Sequence, residues 1–579
     1  MWPFGSPSWK PLVDYKQTQR RSRLQGVSAS FPSLATYIQA SASEIVQRIS
    51  TSEWTASEVL EAYIVQAAKA QTTTNCLTEV LFDRAREQAH TLDEYFRKTG
   101  KIKGPLHGVP FTSHTGIPVH VAGYDTTAGH TMLANHPAKA DAELVRLVRE
   151  AGGIPFVKTN LSQCLMFFEC VNPVWGRSLN PYSDAHTCGG SSGGDCALLA
   201  MDGSALGWGN DVGGSLRIPA SYCGLYTLKP GYGRISTVGA RDNMPGFEAI
   251  HSTTGPIART VADLELACRV VMGKATEDYE IAPIPYRDVK LPDRLTFGYY
   301  VSDPYVRSSP ACQRAVYETV EALRLAGHEC IELPFPAESD IAIQHLLSLV
   351  NADGNKTLFT PIGSDPKQYE LTTVDLGPKI WGWARTMICW VLDRVAGDPF
   401  MAEVLRVCRP KSVYEFWKQT AQTKSFVRSV NHKLWDGHHF DGIISPVQAV
   451  PALPHQSVAQ VATLAGATIL YNLTDTPVGV VPVTRVDPDK DAITEEWHRA
   501  GCSASTKTSP LLEMLLYKGE NSVYNAKKMA GLPVGIQIAG PRWEEEKVIE
   551  MMKVVDAALG PRSFGPGAWE KLQNGVASR

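Results

Sequence analysis

The sequence of 579 residues lacks several features that would assign it to a common class. It has no uninterrupted apolar run of about 18 residues, the length that a membrane-spanning helix needs. Its 12 cysteines are scattered, with no C-x-x-C pair and no cluster with histidine at metal-ligand spacing. We therefore expect no structural zinc, and we expect reduced thiols in an intracellular protein.

Charge excess and phosphate-binding motifs are also absent. The formal net charge is −3, so no basic excess points to nucleic acid. The G-x-x-x-x-G-K-[ST] and G-x-G-x-x-G spacings of phosphate-binding loops do not occur. The first eleven residues contain three prolines and no apolar run, which is not typical of a signal peptide. These absences predict a cytoplasmic protein with no nucleic-acid partner and no metal or organic cofactor.

Residues 188–220, in contrast, carry a high density of glycine. Nine of these residues are glycine, and Ser191, Ser192 and Ser215 lie beside them. Glycine loses much chain entropy on folding, so such density indicates backbone conformations or close approaches that a Cβ atom would block. A serine that follows two glycines has bare neighbouring N–H groups, as an oxyanion hole requires. The stretch therefore predicts a serine-based active site.

The same stretch resembles the signature of the amidase signature family of serine hydrolases. That family has the pattern G-G-S-S-G-G-[SE]-x-A, which corresponds to GGSSGGDCA at residues 189–197. Its second pattern, G-x-D-x-G-G-S-[IL]-R-x-P-A, corresponds to GNDVGGSLRIPA at residues 209–220. Other segments fit the family as well, so that the resemblance extends over about residues 40–560.

The resemblance implies a role for each residue of the signature. Ser215 occupies the position of the nucleophile, and Ser191 that of a serine on a cis peptide that relays protons. Asp211 and Arg217 match residues that brace the oxyanion loop, and Ser192 is a further supporting residue. The backbone amides expected to hold the oxyanion are those of Val212, Gly213, Gly214 and Ser215.

One position departs from the family pattern. Residues 106–110 match its L-H-G-[IV]-P segment, but His114 stands where the family has its catalytic lysine. The family's landmarks resume at residues 126–129, so the alignment has not slipped. Because histidine transfers protons near neutral pH, we predict that His114 acts on Ser191, and Ser191 on Ser215. Lys158 is the nearest spare lysine that could replace the base.

Three functions are compatible with this departure. The first is a serine hydrolase that cleaves an amide or ester of an apolar substrate through the relay. The second is a repurposed enzyme that moves an acyl group to another nucleophile, or that uses His114 as an acid or base on a pathway intermediate. The third is a non-catalytic binding homologue, although loss of catalysis would be expected to remove the serines and glycines too.

We expect one α/β/α domain at residues 36–575, built on a mixed sheet of about ten strands with helices on both faces. Residues 1–35 should form a polar, partly helical arm whose basic stretch from Lys16 to Arg23 is a solvated face. Residues 472–478 read as a loop that leads into a strand.

Residues 375–417 are rich in aromatic side chains and predict a separate helical element. Apolar residues recur at helical spacing from Ile380 to Val395, and Trp381, Trp383 and Trp390 widen this face. Such a face is typical of a core helix or of a dimer interface. It also resembles the membrane-binding cap of fatty acid amide hydrolases, since arginines rim it. The sequence thus leaves open a homodimer and peripheral membrane contact, and it favours an apolar substrate.

Overall fold

The computed structural model describes residues 9–112, 120–241, 244–274, 278–333, 339–437, 439–500 and 508–577. Its strands are β1 Leu77–Val80, β2 Pro110–Thr112, β3 Ile154–Thr159, β4 Val171–Asn172, β5 Gly176–Arg177, β6 Leu179–Asn180, β7 Ser183–Thr187, β8 Leu206–Asp211, β9 Tyr226–Lys229, β10 Thr253–Ala258, β11 Thr296–Tyr299, β12 Glu329–Glu332, β13 Gly442–Pro446, β14 Val478–Arg485 and β15 Pro533–Ala539.

The first ten α-helices are α1 Lys10–Leu24, α2 Leu34–Ile38, α3 Ala42–Ser50, α4 Ala56–Thr74, α5 Phe82–Thr99, α6 Glu143–Glu150, α7 Gly193–Ala200, α8 Arg217–Cys223, α9 Val261–Val271 and α10 Pro310–Leu325. The others are α11 Ser339–Val350, α12 Lys356–Phe359, α13 Thr372–Leu376, α14 Gly382–Arg394, α15 Pro399–Val407, α16 Val413–Asn431, α17 Gly466–Leu473, α18 Glu495–Ala500, α19 Pro510–Tyr517, α20 Glu545–Leu559 and α21 Ala568–Ala577.

Eleven of the described strands form one mixed sheet, in the order β1-β3-β2-β8-β10-β9-β14-β15-β13-β11-β12. β2 pairs in parallel with β3 and β8, and β11 pairs in parallel with β12 and β13. The other neighbours are antiparallel. Every residue of β3, β8, β10, β13 and β15 is buried, which requires helices on both faces of the sheet. The predicted α/β class is confirmed.

Local sequence signals account for several helix starts. At the start of α4, the Glu58 amide donates to the Thr55 hydroxyl, and the Thr55 amide donates to the Glu58 carboxylate. This capping box is the one that the Thr55-to-Glu58 spacing predicts. Ser41 caps α3 in the same way, by accepting a hydrogen bond from the Glu44 amide.

The basic stretch of the N-terminal arm is solvated only in part, since Arg21 is exposed but two of its cations are buried, contrary to the sequence-based expectation. Lys16, on α1, is buried and forms ion pairs with Glu79 and Asp125. Arg20 is also buried, and its guanidinium donates to the carbonyl oxygen of Leu77. The periodicity of α1 cannot predict this burial, because the oxygen atoms that bind its two cations belong to residues far away in the sequence.

The aromatic segment forms three helices, α14, α15 and α16, and its apolar face points outward. Trp383 and Trp390 are 66% and 60% exposed, so the interpretation as a core helix is wrong. The buried side of α14 carries Arg385 instead, whose guanidinium donates to the carbonyl oxygens of Gly377 and Ile380. No helix in the described part of the chain combines the length and apolarity needed to cross a membrane.

The predicted loop at residues 472–478 is partly helical. Asn472 and Leu473 form the last residues of α17, and β14 begins at Val478. Asn472 is buried, and its side chain bonds to residues of the signature loop. A tertiary partner therefore favours the helical conformation here over the turn that Asn, Thr and Asp residues usually favour.

Candidate active site

The two serine segments of the signature line one cavity of about 330 Å³. Ser191 lies in the turn between β7 and α7, and Ser215 lies in the turn between β8 and α8. The amide of Ser192 donates to the carbonyl oxygen of Ser215 at 3.2 Å and thereby ties the two turns together. Both predicted catalytic serines therefore face the same cavity.

The turn that carries Ser191 has the backbone expected from the resemblance. The peptide bond between Gly190 and Ser191 is cis. Gly189 has a φ of +85°, and a Cβ atom on it would lie 2.6 Å from the Cα atom of Pro219. Glycine at this position is thus required both by its conformation and by the close approach of α8.

Asp211 and Arg217 hold the turn that carries Ser215. The Asp211 carboxylate accepts hydrogen bonds from the amides of Gly214 and Leu216 at 2.7 and 3.2 Å. The Arg217 guanidinium donates to both oxygens of the same carboxylate at 3.0 Å. Burial by itself would raise the pKa of Asp211, but the charge and hydrogen bonds of Arg217 lower it to about 2. The predicted bracing geometry is present.

Two residues that the sequence did not single out complete this brace. Asn472 donates to the Asp211 carboxylate at 2.8 Å and accepts from Arg217 at 2.6 Å. Gln537, in the buried strand β15, accepts from Arg217 at 3.2 Å. The sequence carries one signal for Gln537: it is a glutamine between apolar residues of a predicted buried strand, and such a side chain needs a buried polar partner.

The four backbone amides expected to bind the oxyanion are not equivalent. The Gly214 amide is bound to Asp211, so it is not free to donate to a substrate in this structure. The amides of Val212, Gly213 and Ser215 have no acceptor among the described residues, and all three residues line the cavity. Gly214 has a φ of +123°, and a Cβ atom there would lie 2.4 Å from the Thr468 hydroxyl oxygen. The loop thus presents three amides rather than four.

The proposed base, His114, lies outside the described residues. β2 ends at Thr112, two residues before it, and the Thr112 hydroxyl donates to the buried carboxylate of Asp195. Lys158, the spare lysine, is fully buried in β3 and does not line the cavity. Its ammonium donates to the Asp125 carbonyl oxygen at 2.9 Å and to the Thr126 hydroxyl at 2.8 Å, and burial lowers its pKa to about 7.

The lining of the cavity is mostly apolar but includes charged groups. The helices α11, α12 and α13 contribute an apolar wall, with the side chains of Ile343, Leu346, Leu347, Val350, Leu358 and Val374. The segment after β9 contributes polar side chains, Tyr232, Arg241, Glu248 and His251, together with the apolar Met244, Phe247 and Ile250. In the described part of the chain, no group of three or more potential metal ligands is placed to hold an ion.

Comparisons with known proteins agree with this site. Residues 58–549 match the family model described as Amidase. The chain is 32% identical to a putative amidase, kk1C, of Curvularia clavata, covering 96% of this chain and 99% of the relative. It is 30% identical to the acetamidase of Emericella nidulans, covering 90% and 89% of the two chains.

A solved structure of fatty acid amide hydrolase is also similar. It superposes with a TM-score of 0.80 and 27% sequence identity, covering 97% of this chain and 91% of that chain. The family match spans most of the sequence, and the structural likeness extends over both halves of the sheet. The chain therefore belongs to the amidase family, with the amidase signature fold, and is an amidase-like hydrolase of carbon–nitrogen bonds.

Proposed function

We propose that the chain hydrolyses an amide or ester of an apolar substrate, with Ser215 as nucleophile and Ser191 and His114 as the proton relay. One observation carries this proposal. The amides of Val212, Gly213 and Ser215, which have no acceptor among the described residues, line the cavity that also holds both serine hydroxyls. Amides in this arrangement can donate to the oxyanion of a tetrahedral intermediate.

In the proposed reaction, the Ser215 hydroxyl oxygen attacks the substrate carbonyl carbon while its proton passes to Ser191. The Ser191 proton passes in turn to His114, which must be neutral to accept it. The oxyanion accepts hydrogen bonds from the three loop amides. The C–N bond then breaks as the proton returns through Ser191 to the leaving amine, and water hydrolyses the acyl-serine ester.

The bracing ion pair supports catalysis by holding the loop. Asp211 and Arg217 are fully buried and together carry no net charge, so the loop amides keep their direction without adding an uncompensated charge to the site. Preorganised donors avoid the cost of reorienting dipoles during the reaction. Hydrolysis is favoured over ligand binding without catalysis, because a binding homologue has no need for a braced loop of amides that lack acceptors among the described residues. Acyl transfer to another nucleophile would use the same loop, and the identity of the released product distinguishes it from hydrolysis.

Labelling with a fluorophosphonate tests the proposal, because this reagent reacts with activated serines. We expect stoichiometric labelling of Ser215 at pH 8, located by peptide mass spectrometry. The labelling rate should fall as pH drops through the ordinary histidine pKa of about 6.5, since a protonated imidazole accepts no proton. His114→Ala should slow the reaction by about a hundredfold or more.

The His114→Lys variant is the matched comparison. It restores the residue that the family has at this position, so it should label faster than His114→Ala. If the labelling rate of His114→Ala equals that of the wild type, His114 is excluded as the base, and Lys158 becomes the candidate to test next. No labelling of Ser215 in the wild-type chain at any pH would contradict the hydrolase proposal itself.

We also propose that the exposed aromatic surface of α14 and α16 rests on a membrane interface. We define this aromatic surface by its five exposed side chains, Trp381, Trp383, Trp390, Tyr414 and Trp417. Arg394, the last residue of α14, and Arg406, on α15, are exposed, and their pairs with Asp393 and Glu403 lie at the surface, where anionic lipid headgroups can compete for them. α15 and α16 pack against α11, which lines the apolar wall of the cavity. An apolar substrate in the lipid would thus lie near the apolar wall.

Vesicle sedimentation tests this surface. The wild-type chain should sediment with vesicles of mixed zwitterionic and anionic lipid, and Trp383→Ser/Trp390→Ser should weaken binding about tenfold or more, because two large apolar side chains no longer enter the interface. Tyr279→Ser, which removes a fully exposed aromatic residue elsewhere, is the control and should bind as the wild type does. A wild-type dimer that the double variant dissociates, with no vesicle binding, would identify a homodimer interface instead.

A further inference from the structure

Arg241 is a cation in the wall of the cavity that has no partner among the described residues. It forms no ion pair and no hydrogen bond there, and its Nε atom is buried without an acceptor. Arg241 is half-buried, and more deeply buried guanidinium groups of the same protein have acceptors: Arg217 pairs with Asp211, and Arg259 pairs with Asp202. An unpaired guanidinium beside a substrate cavity is costly unless a ligand supplies the acceptor.

Backbone hydrogen bonds hold the turn that leads into Arg241. The amide of Ala240 donates to the Thr237 carbonyl oxygen at 2.9 Å. The amides of His120 and Glu143 donate to the carbonyl oxygens of Gly239 and Val238 at 3.0 and 3.1 Å. These bonds fix the point from which the Arg241 side chain extends.

The two acids that line the cavity among the described residues do not pair with Arg241. Glu248 and Glu280 line the same cavity but are exposed, and neither forms an ion pair with Arg241. Glu280 instead accepts a hydrogen bond from the Tyr232 hydroxyl. Burial lowers the pKa of Arg241, and among described residues no carboxylate offsets that effect. The N–H donors of Arg241, which have no acceptor among the described residues, therefore favour an acceptor supplied by the ligand.

We infer that Arg241 selects amides whose amine part carries a carboxylate, with the apolar acyl part against the wall formed by α11, α12 and α13. The chemical class is an N-acylated amino acid. Water cleaves its C–N bond to give the fatty carboxylate and the free amino acid zwitterion, so charge and atoms balance. Arg241 binds the substrate carboxylate through paired N–H donors, as guanidinium groups commonly do. This inference rests on the proposed amide hydrolysis and names its substrate.

Two ligands of matched shape test the inference. N-decanoylglycine carries the carboxylate, and N-isobutyldecanamide has an isopropyl group in its place. Their dissociation constants are measured by calorimetry in a Ser215→Ala background, so binding is read without turnover. Adding Arg241→Gln should weaken N-decanoylglycine about tenfold to a hundredfold, because a charged hydrogen-bonded pair is lost. The neutral amide should change less than about twofold, and Arg241→Lys should keep part of the carboxylate preference.

The controls separate this inference from the proposed hydrolysis. Arg294→Gln removes an exposed arginine that does not line the cavity, and it should leave both dissociation constants unchanged. Equal weakening of both ligands by Arg241→Gln, no change for either, or no binding of N-decanoylglycine would overturn the inference. Failure of fluorophosphonate to label Ser215 in the wild type would instead count against hydrolysis, whatever the binding data show.

Discussion

Replacing Ser215 by alanine will lower kcat for amide hydrolysis by about four orders of magnitude or more, because the acyl-enzyme cannot form without its hydroxyl oxygen. The loop amides and the cavity remain in the variant, so substrate binding should persist. The measurement is steady-state release of amine from a medium-chain amide, with active-site titration to exclude contaminating hydrolase. A residual rate within about tenfold of the wild type would show that Ser215 is not the nucleophile.

Ser221 provides the matched control for this variant. It lies on α8, just after the turn that carries Ser215, but its side chain accepts a hydrogen bond from the Gly535 amide at 3.3 Å and does not line the cavity. Ser221→Ala should therefore change kcat by less than about threefold, since it removes one ordinary hydrogen bond. An equal loss of activity in both variants would indicate damage to the fold rather than removal of a nucleophile.

Replacing Arg217 by methionine will lower the free energy of unfolding by about 3–5 kcal/mol at pH 7, because it leaves the buried Asp211 carboxylate without its cation. Urea unfolding followed by circular dichroism measures this change. The double variant Arg217→Met/Asp211→Asn should recover part of the loss, because no buried charge then remains. A double variant no more stable than Arg217→Met would contradict an electrostatic origin of the effect.

The pH dependence of stability gives a second readout of the same ion pair. The pKa of Asp211 is about 2 in the folded chain, below the ordinary value of about 3.9. The resulting stabilisation is therefore fully present above about pH 4 and is lost as pH falls toward 2, by roughly 2–3 kcal/mol. Asp211→Asn should remove this component of the acid transition. Arg294→Met, at an exposed pair with Glu329, should change stability by less than about 1 kcal/mol.

The signature residues were predictable because the requirements that they meet are local. Gly189 adopts a positive φ, which favours glycine at that position itself. A serine next to glycines has backbone amides that no side chain covers, so residues adjacent in the sequence indicate the candidate catalytic turn. The same holds for the capping box at Thr55, whose two partners lie three residues apart. Short separations of this kind leave few conformations to distinguish, and the residue types themselves indicate which one forms.

The remaining parts of the site depend on residues far apart in the chain. Asn472 and Gln537 reach Arg217 from α17 and β15, across 255 and 320 residues. No periodicity or spacing in the sequence relates these positions, because the order of strands in the sheet brings them together. The outward direction of the aromatic surface is likewise set by the carbonyl oxygens that receive Arg385 on the opposite side of α14.

The sequence by itself indicated the family and, through that resemblance, the mixed α/β fold, and it marked Ser191 and Ser215 of one glycine-rich stretch as the candidate catalytic serines. Only the tertiary structure decided which loop amides are free, because the Asp211 carboxylate occupies the amide of Gly214 and leaves those of Val212, Gly213 and Ser215. It also placed Arg241 in the cavity lining with no ion pair to any described carboxylate. The physical reason is the same in both cases: a polar group's partner is set by packing, which a linear pattern does not encode.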